Sequence, residues 1–253
     1  MTIAEARPVL IVTGGGRGIG AAVARLAGAQ GYDVAVNYLL DRIAAEKVVD
    51  DVRDKGGSAL SLAADVSREE DVLRLFETVT RELGPVGALV NSAGETGGFA
   101  RVEDVTVETI AHVLAVNVTG TILCAREAVR RMSTKRGGRG GAIVNVSSLA
   151  ARLGGANEWV HYAASKGAVE TFTRGLAREV AAEGIRVNAV APGLIETELH
   201  AAAGDPDRLN RLKGGVPMQR PGTAEEVAEG ILWLLSAAAS YTTGAILDIG
   251  GGR

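Results

Sequence analysis

Only one cysteine, Cys124, stands in the 253 residues, so no disulfide can close within the chain. That usage fits a reducing compartment, and a cytoplasmic location is expected. Histidine is nearly as scarce: the three, at 112, 161 and 200, have no metal-ligand spacing, and no metal site is expected. No run approaches the roughly eighteen apolar residues of a membrane helix. The opening "MTIAEARPVLIVTGGG" lacks the basic start, apolar core and small-residue cleavage site of a secretory signal, so no membrane partner is expected either. Charge of one sign is also missing. A net charge of −3 gives the molecule as a whole no electrostatic claim on nucleic acid. One basic stretch, "REAVRRMSTKRGGR", sets Arg126, Arg130, Arg131, Lys135, Arg136 and Arg139 against Glu127 alone. It has no interleaved aromatic residue to stack on a base, and it reads as a cation-rich helix end followed by a solvated glycine loop.

What the chain does contain is a regular alternation. Short runs rich in β-branched residues recur as "PVLIVT", "DVAVNY", "SALSLAA", "GALVNS", "GAIVNVSS", "GIRVNAVA" and "GAILDIG". Most are continuously apolar, as parallel strands covered on both faces should be. Helical patterns lie between them. "SREEDVLRLFETVTREL" places Ser67 and Glu70 at capping-box spacing, and Val169, Phe172, Leu176 and Val180 form an amphipathic stripe after Tyr162. The alternation predicts an α/β, doubly wound, Rossmann-like fold, with residues 1–253 as a single domain. Residues 193–222 have no clear period and are expected to form a substrate loop or lid.

"PVLIVTGGGRGIGAAVARLA" reads as strand, glycine turn and helix. Gly14, Gly15, Gly16, Gly18 and Gly20 allow a tight turn and close approach of backbone to a pyrophosphate, which the next helix meets with free N–H groups. No lysine follows the glycines, so a nucleotide-hydrolysing P-loop is excluded. A site for NAD(H) typically has a carboxylate at the end of the second strand. Here that strand ends in Asn37 and Tyr38, with no carboxylate until Asp41, while Arg17 and Arg42 stand near enough in sequence to meet a 2′-phosphate. NADP(H) is therefore favoured, with NAD(H) as the alternative.

These features come with others in a fixed order. TGxxxGxG falls at Thr13, Gly14, Gly18 and Gly20, "NSAG" at 91–94, Asn117 alone, "VNVSS" ending at Ser148, YxxxK at Tyr162 and Lys166, and "PG" at 192–193. The set resembles the short-chain dehydrogenase/reductase family along essentially the whole chain. The resemblance implies a seven-stranded parallel sheet and a homotetramer or homodimer. It also implies catalytic roles for Asn117, Ser148, Tyr162 and Lys166: Ser148 bonding the substrate oxygen, Tyr162 exchanging its proton, Lys166 holding the nicotinamide ribose, and Asn117 supporting a water relay. By the same resemblance Gly16 and Ile19 belong to the cofactor loop, Asp65 and Val66 contact adenine, and Asn91, Ala93 and Gly94 line the cofactor. Pro192, Gly193, Ile195 and Thr197 come near the nicotinamide. Ser148 precedes Tyr162 by fourteen residues, one more than is usual in the family, which leaves Ser147 and Ser148 as alternative hydroxyls. Gly154 six residues on favours Ser148.

The tyrosine–lysine pair has a physical rationale. Residues four apart on a helix share a face, and a fixed ammonium near a phenol should draw its pKa down from about 10 by one to three units. The expected activity is hydride transfer between a nicotinamide and a small alcohol or carbonyl substrate, as in a sugar or polyol dehydrogenase or a carbonyl reductase. A 3-oxoacyl-carrier-protein reductase is the alternative within the class. A non-catalytic dinucleotide sensor or scaffold is the alternative outside it, disfavoured because all four catalytic candidates are present. A hydrolase would need G-x-S-x-G or S-x-x-K, and neither occurs. Trp159 and Met218 are either pocket walls or loop packing, and His161 is expected to line the mouth or face solvent.

Overall fold

The structure is a computed structural model that describes residues 7–199 and 203–253; His200 lies outside the described residues. Seven strands form one parallel sheet in the order β3-β2-β1-β4-β5-β6-β7. They are β1 (Val9–Thr13), β2 (Asp33–Tyr38), β3 (Ala59–Ala63), β4 (Val86–Asn91), β5 (Gly141–Val146), β6 (Ile185–Pro192) and β7 (Ile246–Ile249). The order reverses beside β1, which pairs with β2 on one side and β4 on the other. A crevice opens at such a switch point, outside the carboxyl ends of the strands.

Every residue of β1 is buried, because the sheet is covered on both faces. Leu10 and Val12 join a core with α1 (Gly18–Ala29), α2 (Arg42–Arg53) and α9 (Ala224–Leu235). Val9 and Ile11 join the opposite core with α3 (Glu69–Glu82), α5 (Thr121–Met132) and α7 (Val160–Val180). On α7, Val169 and Val180 are fully buried while Phe172 and Leu176 pack at the margin of that core.

Several local expectations fail for identifiable reasons. Ser67 does not cap α3: Asp65 Oδ1 accepts from both the Ser67 amide (2.9 Å) and its hydroxyl (2.7 Å), and the helix begins after Arg68 without a side-chain cap. A true capping box occurs instead at Thr223 and Glu226, opening α9. The basic stretch is not simply solvated. Glu127, 3% exposed, sits among Arg126 (3.3 Å), Arg130 (2.7 Å) and Arg131 (2.6 Å), and Lys135 pairs with Glu183 at 3.1 Å. Burial alone would raise the Glu127 pKa, but the three guanidiniums hold it below the ordinary value.

One continuous helical stretch, Val107–Met132, differs from the expectation about apolar runs. It has 26 residues with mean hydropathy 1.5 in its most apolar window, enough to cross a membrane by length and composition, with 33% of that window buried. It comprises α4 (Val107–Leu114), a π-helical turn (Ala115–Gly120) and α5. The widened turn carries Asn117, and π turns often mark functional positions.

The excursion after β6 is pinned at its base. Gly222 N donates to Leu194 O (2.9 Å) and Glu196 N to Gly222 O (2.8 Å), so the two ends of the excursion meet. Within it lies a short helix, α8 (Arg208–Leu212).

Candidate active site

The glycine turn is tied to β2. Gly15 N donates to Asn37 O at 2.8 Å and Gly14 N to Asn37 Oδ1 at 3.3 Å. The Asn37 amide nitrogen goes to Ala64 O (3.0 Å), so its side chain braces the loop while the residue lines the cavity. Gly14 has φ +61°, and a Cβ there would come within 2.9 Å of Ala93 Cα. At Gly20 a Cβ would lie 2.3 Å from Gly14 O. Side chains at these points would fill the turn, which keeps an open backbone cradle before α1.

Behind this cradle, Thr13 Oγ1 accepts from Ser92 N (3.0 Å) and Ala93 N (3.1 Å), fixing the turn after β4. Asn91 crosses to β5, donating to Asn145 Oδ1 at 2.9 Å, with its own Oδ1 buried and unpaired. Thr13, Gly20, Asn91 and Asn117 stand behind the residues that line the cavity.

The cavity itself has a volume of ≈ 830 Å³, room for a dinucleotide and a small substrate. Its first end is lined by Gly14, Gly16, Arg17, Gly18 and Ile19 from the loop, and by Asn37, Tyr38, Asp65 and Val66 from the next strands. Ala93 and Gly94 continue the wall, and Pro192, Gly193, Ile195 and Thr197 face them from the β6 end. Arg42 is not on this wall; it turns back to Glu46 at 2.6 Å on its own helix. Leu39, Leu40 and Asp41 line it instead, and Asp41 caps α2 by accepting from Ala44 N at 3.0 Å. Arg17 stays at the lip, 3.3 Å from Glu198, in a pair exposed enough to be worth little.

At the centre, α7 presents Tyr162 and Lys166, which are 8% and 5% exposed. Lys166 Nζ donates to Val146 O at 2.7 Å and sits 5.6 Å from the centre of the Tyr162 ring. Ser148 lines the cavity beside Tyr162, and its oxygen accepts from Ala150 N at 3.1 Å. Ser147 turns the other way, donating to Glu170 Oε1 at 3.2 Å. With Ser147 engaged by Glu170, Ser148 is the hydroxyl with no such commitment on the cavity wall. The ammonium does not draw the phenol down as expected. Burial pushes Tyr162 up to about 12, against the opposing influence of the nearby Ser148 hydroxyl and the Arg208 charge. Burial also pushes Lys166 down to about 8.

Asn117 is fully buried. Its Oδ1 accepts from Glu95 N (2.8 Å), and its Nδ2 donates to Glu95 O (2.8 Å) and Ser165 Oγ (2.9 Å). The amide thus fixes the loop after "NSAG" to α7. His161 does similar work nearby: it is 9% exposed, bonds Thr96 O at 2.8 Å, and neither lines the mouth nor faces solvent. Among the described residues no cluster of His, Cys, Asp or Glu could hold a metal ion.

The far end of the cavity is walled by Leu149, Ala150 and Leu153 from α6 (Ala150–Leu153) and its approach, with Glu158, Trp159 and Arg208. Trp159 is a pocket wall; Met218, 62% exposed, is not. Sequence reasoning missed Glu158 and Arg208, since a charged residue in an aperiodic loop carries no signal of where it folds.

A parallel sheet with this switch-point cradle, and a buried tyrosine flanked by serine and lysine, defines a dinucleotide-dependent oxidoreductase. The family model described as enoyl-(acyl carrier protein) reductase matches residues 14–253. The chain belongs to the short-chain dehydrogenase/reductase family, and it is an NAD(P)-dependent oxidoreductase of alcohol and carbonyl groups. The uncharacterized oxidoreductase YgfF of Escherichia coli (strain K12) is 54% identical over 97% of this chain and 99% of its own length. Glucose 1-dehydrogenase 2 of Bacillus subtilis (strain 168) is 37% identical over 96% of this chain and 93% of its own. The crystal structure of a short-chain type dehydrogenase/reductase from Mycobacterium marinum is similar at TM-score 0.91 and 34% identity, covering 97% of this chain and 94% of that one.

Proposed function

We propose that the protein uses NADPH to reduce a small, freely diffusing carbonyl compound, with Tyr162 as proton donor. The observation that carries this is the buried Tyr162 on the cavity wall, with Ser148 beside it and the Lys166 ammonium 5.6 Å from its ring centre. When bound, the reduced dinucleotide supplies a hydride to the carbonyl carbon. The loop from Gly14 to Ile19 would hold its pyrophosphate, and Lys166 its nicotinamide ribose. Tyr162 Oη gives its proton to the substrate oxygen as negative charge develops there, and Ser148 steadies that oxygen. Lys166, anchored on Val146 O, keeps positive charge beside the phenol. Asn117 acts through position, by bracing Glu95 and Ser165.

The preference for NADPH rests on Arg17 at the lip and on Asp41, whose carboxylate is committed to capping α2. A free substrate is favoured over an acyl carrier because the basic stretch at 126–139 has much of its charge answered by Glu69, Glu127 and Glu183. We read residues 1–253 as one domain with a substrate lid at about 193–222, working in the cytoplasm as a homotetramer. The exposed apolar residues Val107, Ile110, Leu114 and Ile122 along α4 and α5 support assembly with further copies.

The test is NADPH oxidation by the purified protein over a panel of small ketones and aldehydes. The Tyr162→Phe variant should lose at least about a hundredfold in kcat while its NADPH affinity stays within twofold of the parent's. A variant that kept near-full turnover would remove Tyr162 from the mechanism.

A further inference from the structure

At the substrate end of the cavity one cation has no role in the chemistry so far described. Arg208 comes from α8 in the excursion, yet it is only 6% exposed and forms part of the cavity wall. Its guanidinium carbon lies 4.5 Å from the centre of the Trp159 ring and 5.7 Å from that of Phe99. Phe99 and Trp159 stack at 4.7 Å, and Trp159 tilts against Tyr162 at 5.6 Å. The guanidinium therefore stands one indole away from the proton donor.

Its hydrogen bonding is incomplete. Nη2 donates to Glu158 Oε2, but Nε is buried without a partner. A guanidinium has five N–H donors in a planar fork suited to carboxylates, and leaving a buried donor unmet is costly. Glu158 does not belong to Arg208 alone, since Arg211 approaches its other oxygen at 3.9 Å and has Asp205 as its own partner. The other cations on the wall are placed elsewhere: Lys166 is committed to Val146 O, Arg17 faces Glu198 at the opposite lip, and Arg253 is exposed. Of the carboxylates there, Glu95 is engaged by His112 at 2.7 Å.

We propose that Arg208, braced on Trp159, is a specificity-determining residue that receives a carboxylate of the substrate, so that the enzyme acts on an oxo acid and the corresponding hydroxy acid. A singly charged carboxylate suits the site better than a phosphate dianion, because Glu158 already answers part of the charge. The inference rests on the reading of this cavity as the site of carbonyl reduction.

Two measurements test it together. The first compares kcat/KM for pyruvate, acetoacetate and levulinate with their methyl esters, which varies the distance from carbonyl to carboxylate. The second measures by calorimetry the binding of unreactive pentanoate and pentanamide to the NADPH-loaded protein. At least one acid should exceed its ester by about tenfold or more, and pentanoate should bind more tightly than pentanamide by a similar factor, the scale of one charge-assisted hydrogen bond. Arg208→Met should collapse both ratios to within twofold, and Arg208→Lys should restore part of them. Esters reduced as well as acids throughout, pentanamide binding as tightly as pentanoate, or neither probe binding, would overturn the proposal even if Arg208→Met failed to fold. Neutral ketones reduced without any acid preference would end the carboxylate inference and leave carbonyl reduction intact. No turnover of any neutral or anionic carbonyl would instead count against the reductase reading, and the calorimetry would still decide the role of Arg208.

Discussion

The two ends of the cavity are built from different material. At the dinucleotide end the wall is largely backbone, and the polar side chains nearby spend themselves holding it: Thr13 on the turn after β4, Asn37 on the glycine loop. At the substrate end the wall is side chain. Trp159 and Arg208 meet there from segments far apart in the chain, with Phe99 stacked behind on Trp159. A backbone wall can serve any ligand with a common diphosphate, because its donors do not depend on side-chain identity. A wall of stacked rings and one guanidinium can be altered residue by residue, and selects by shape and charge.

The largest effect that would break this contrast is expected at Gly20. Valine there must displace Gly14 O, which a Cβ would approach to 2.3 Å. NADPH affinity should fall more than about a hundredfold, with a stability loss of about 1–3 kcal/mol from overpacking. Titration and chemical denaturation of Gly20→Val read both; unaltered NADPH binding would mean the turn is not the cradle.

Trp159→Ala probes the other end. Removing the stacked indole should lower kcat/KM about tenfold, mostly through KM, while NADPH affinity is unchanged. A parallel fall in cofactor affinity would show that the ends are not separable.

A smaller effect is expected at the lip. Arg17→Ala should weaken NADPH about five- to tenfold, the worth of one partly exposed charge on a phosphate, and leave NADH unaffected. Comparing the two dissociation constants checks it, and equal weakening would make Arg17 a pyrophosphate contact instead.

The smallest effect concerns pH. Lys166 has its pKa lowered to about 8 by burial, so its contribution to stability is present at alkaline pH and is lost as pH falls through about 8. Tyr162, raised to about 12, works in the opposite direction only above pH of about 10. Between these ranges the protein should gain thermal stability as pH rises, and Lys166→Met should flatten that slope. A slope unchanged in the variant would assign it to other groups.

The same contrast explains what the sequence made legible. The seven strands could be read because most are continuous apolar runs, and the glycine loop because its constraint is local to a few residues. Tyr162 and Lys166 could be read because helix geometry alone brings them together. The π turn at Asn117 could not, since its widened bonding comes from packing and leaves no period in the sequence. Asn37 lines the cavity as expected, but its second task as a brace for the loop has no local pattern to announce it. Arg42 was spent on Glu46, one helical turn away. Arg208 was hidden because its position over Trp159, some fifty residues away in the chain, depends on tertiary folding and not on any local pattern.

The most direct test of the account is a fluorescence titration with NADPH and, separately, NADH, run on the parent protein and on Tyr162→Phe. The account predicts saturable binding of NADPH, tighter than that of NADH, with the NADPH curve the same in both proteins. Absence of saturable binding by either dinucleotide, or a curve lost with the tyrosine hydroxyl, would contradict it.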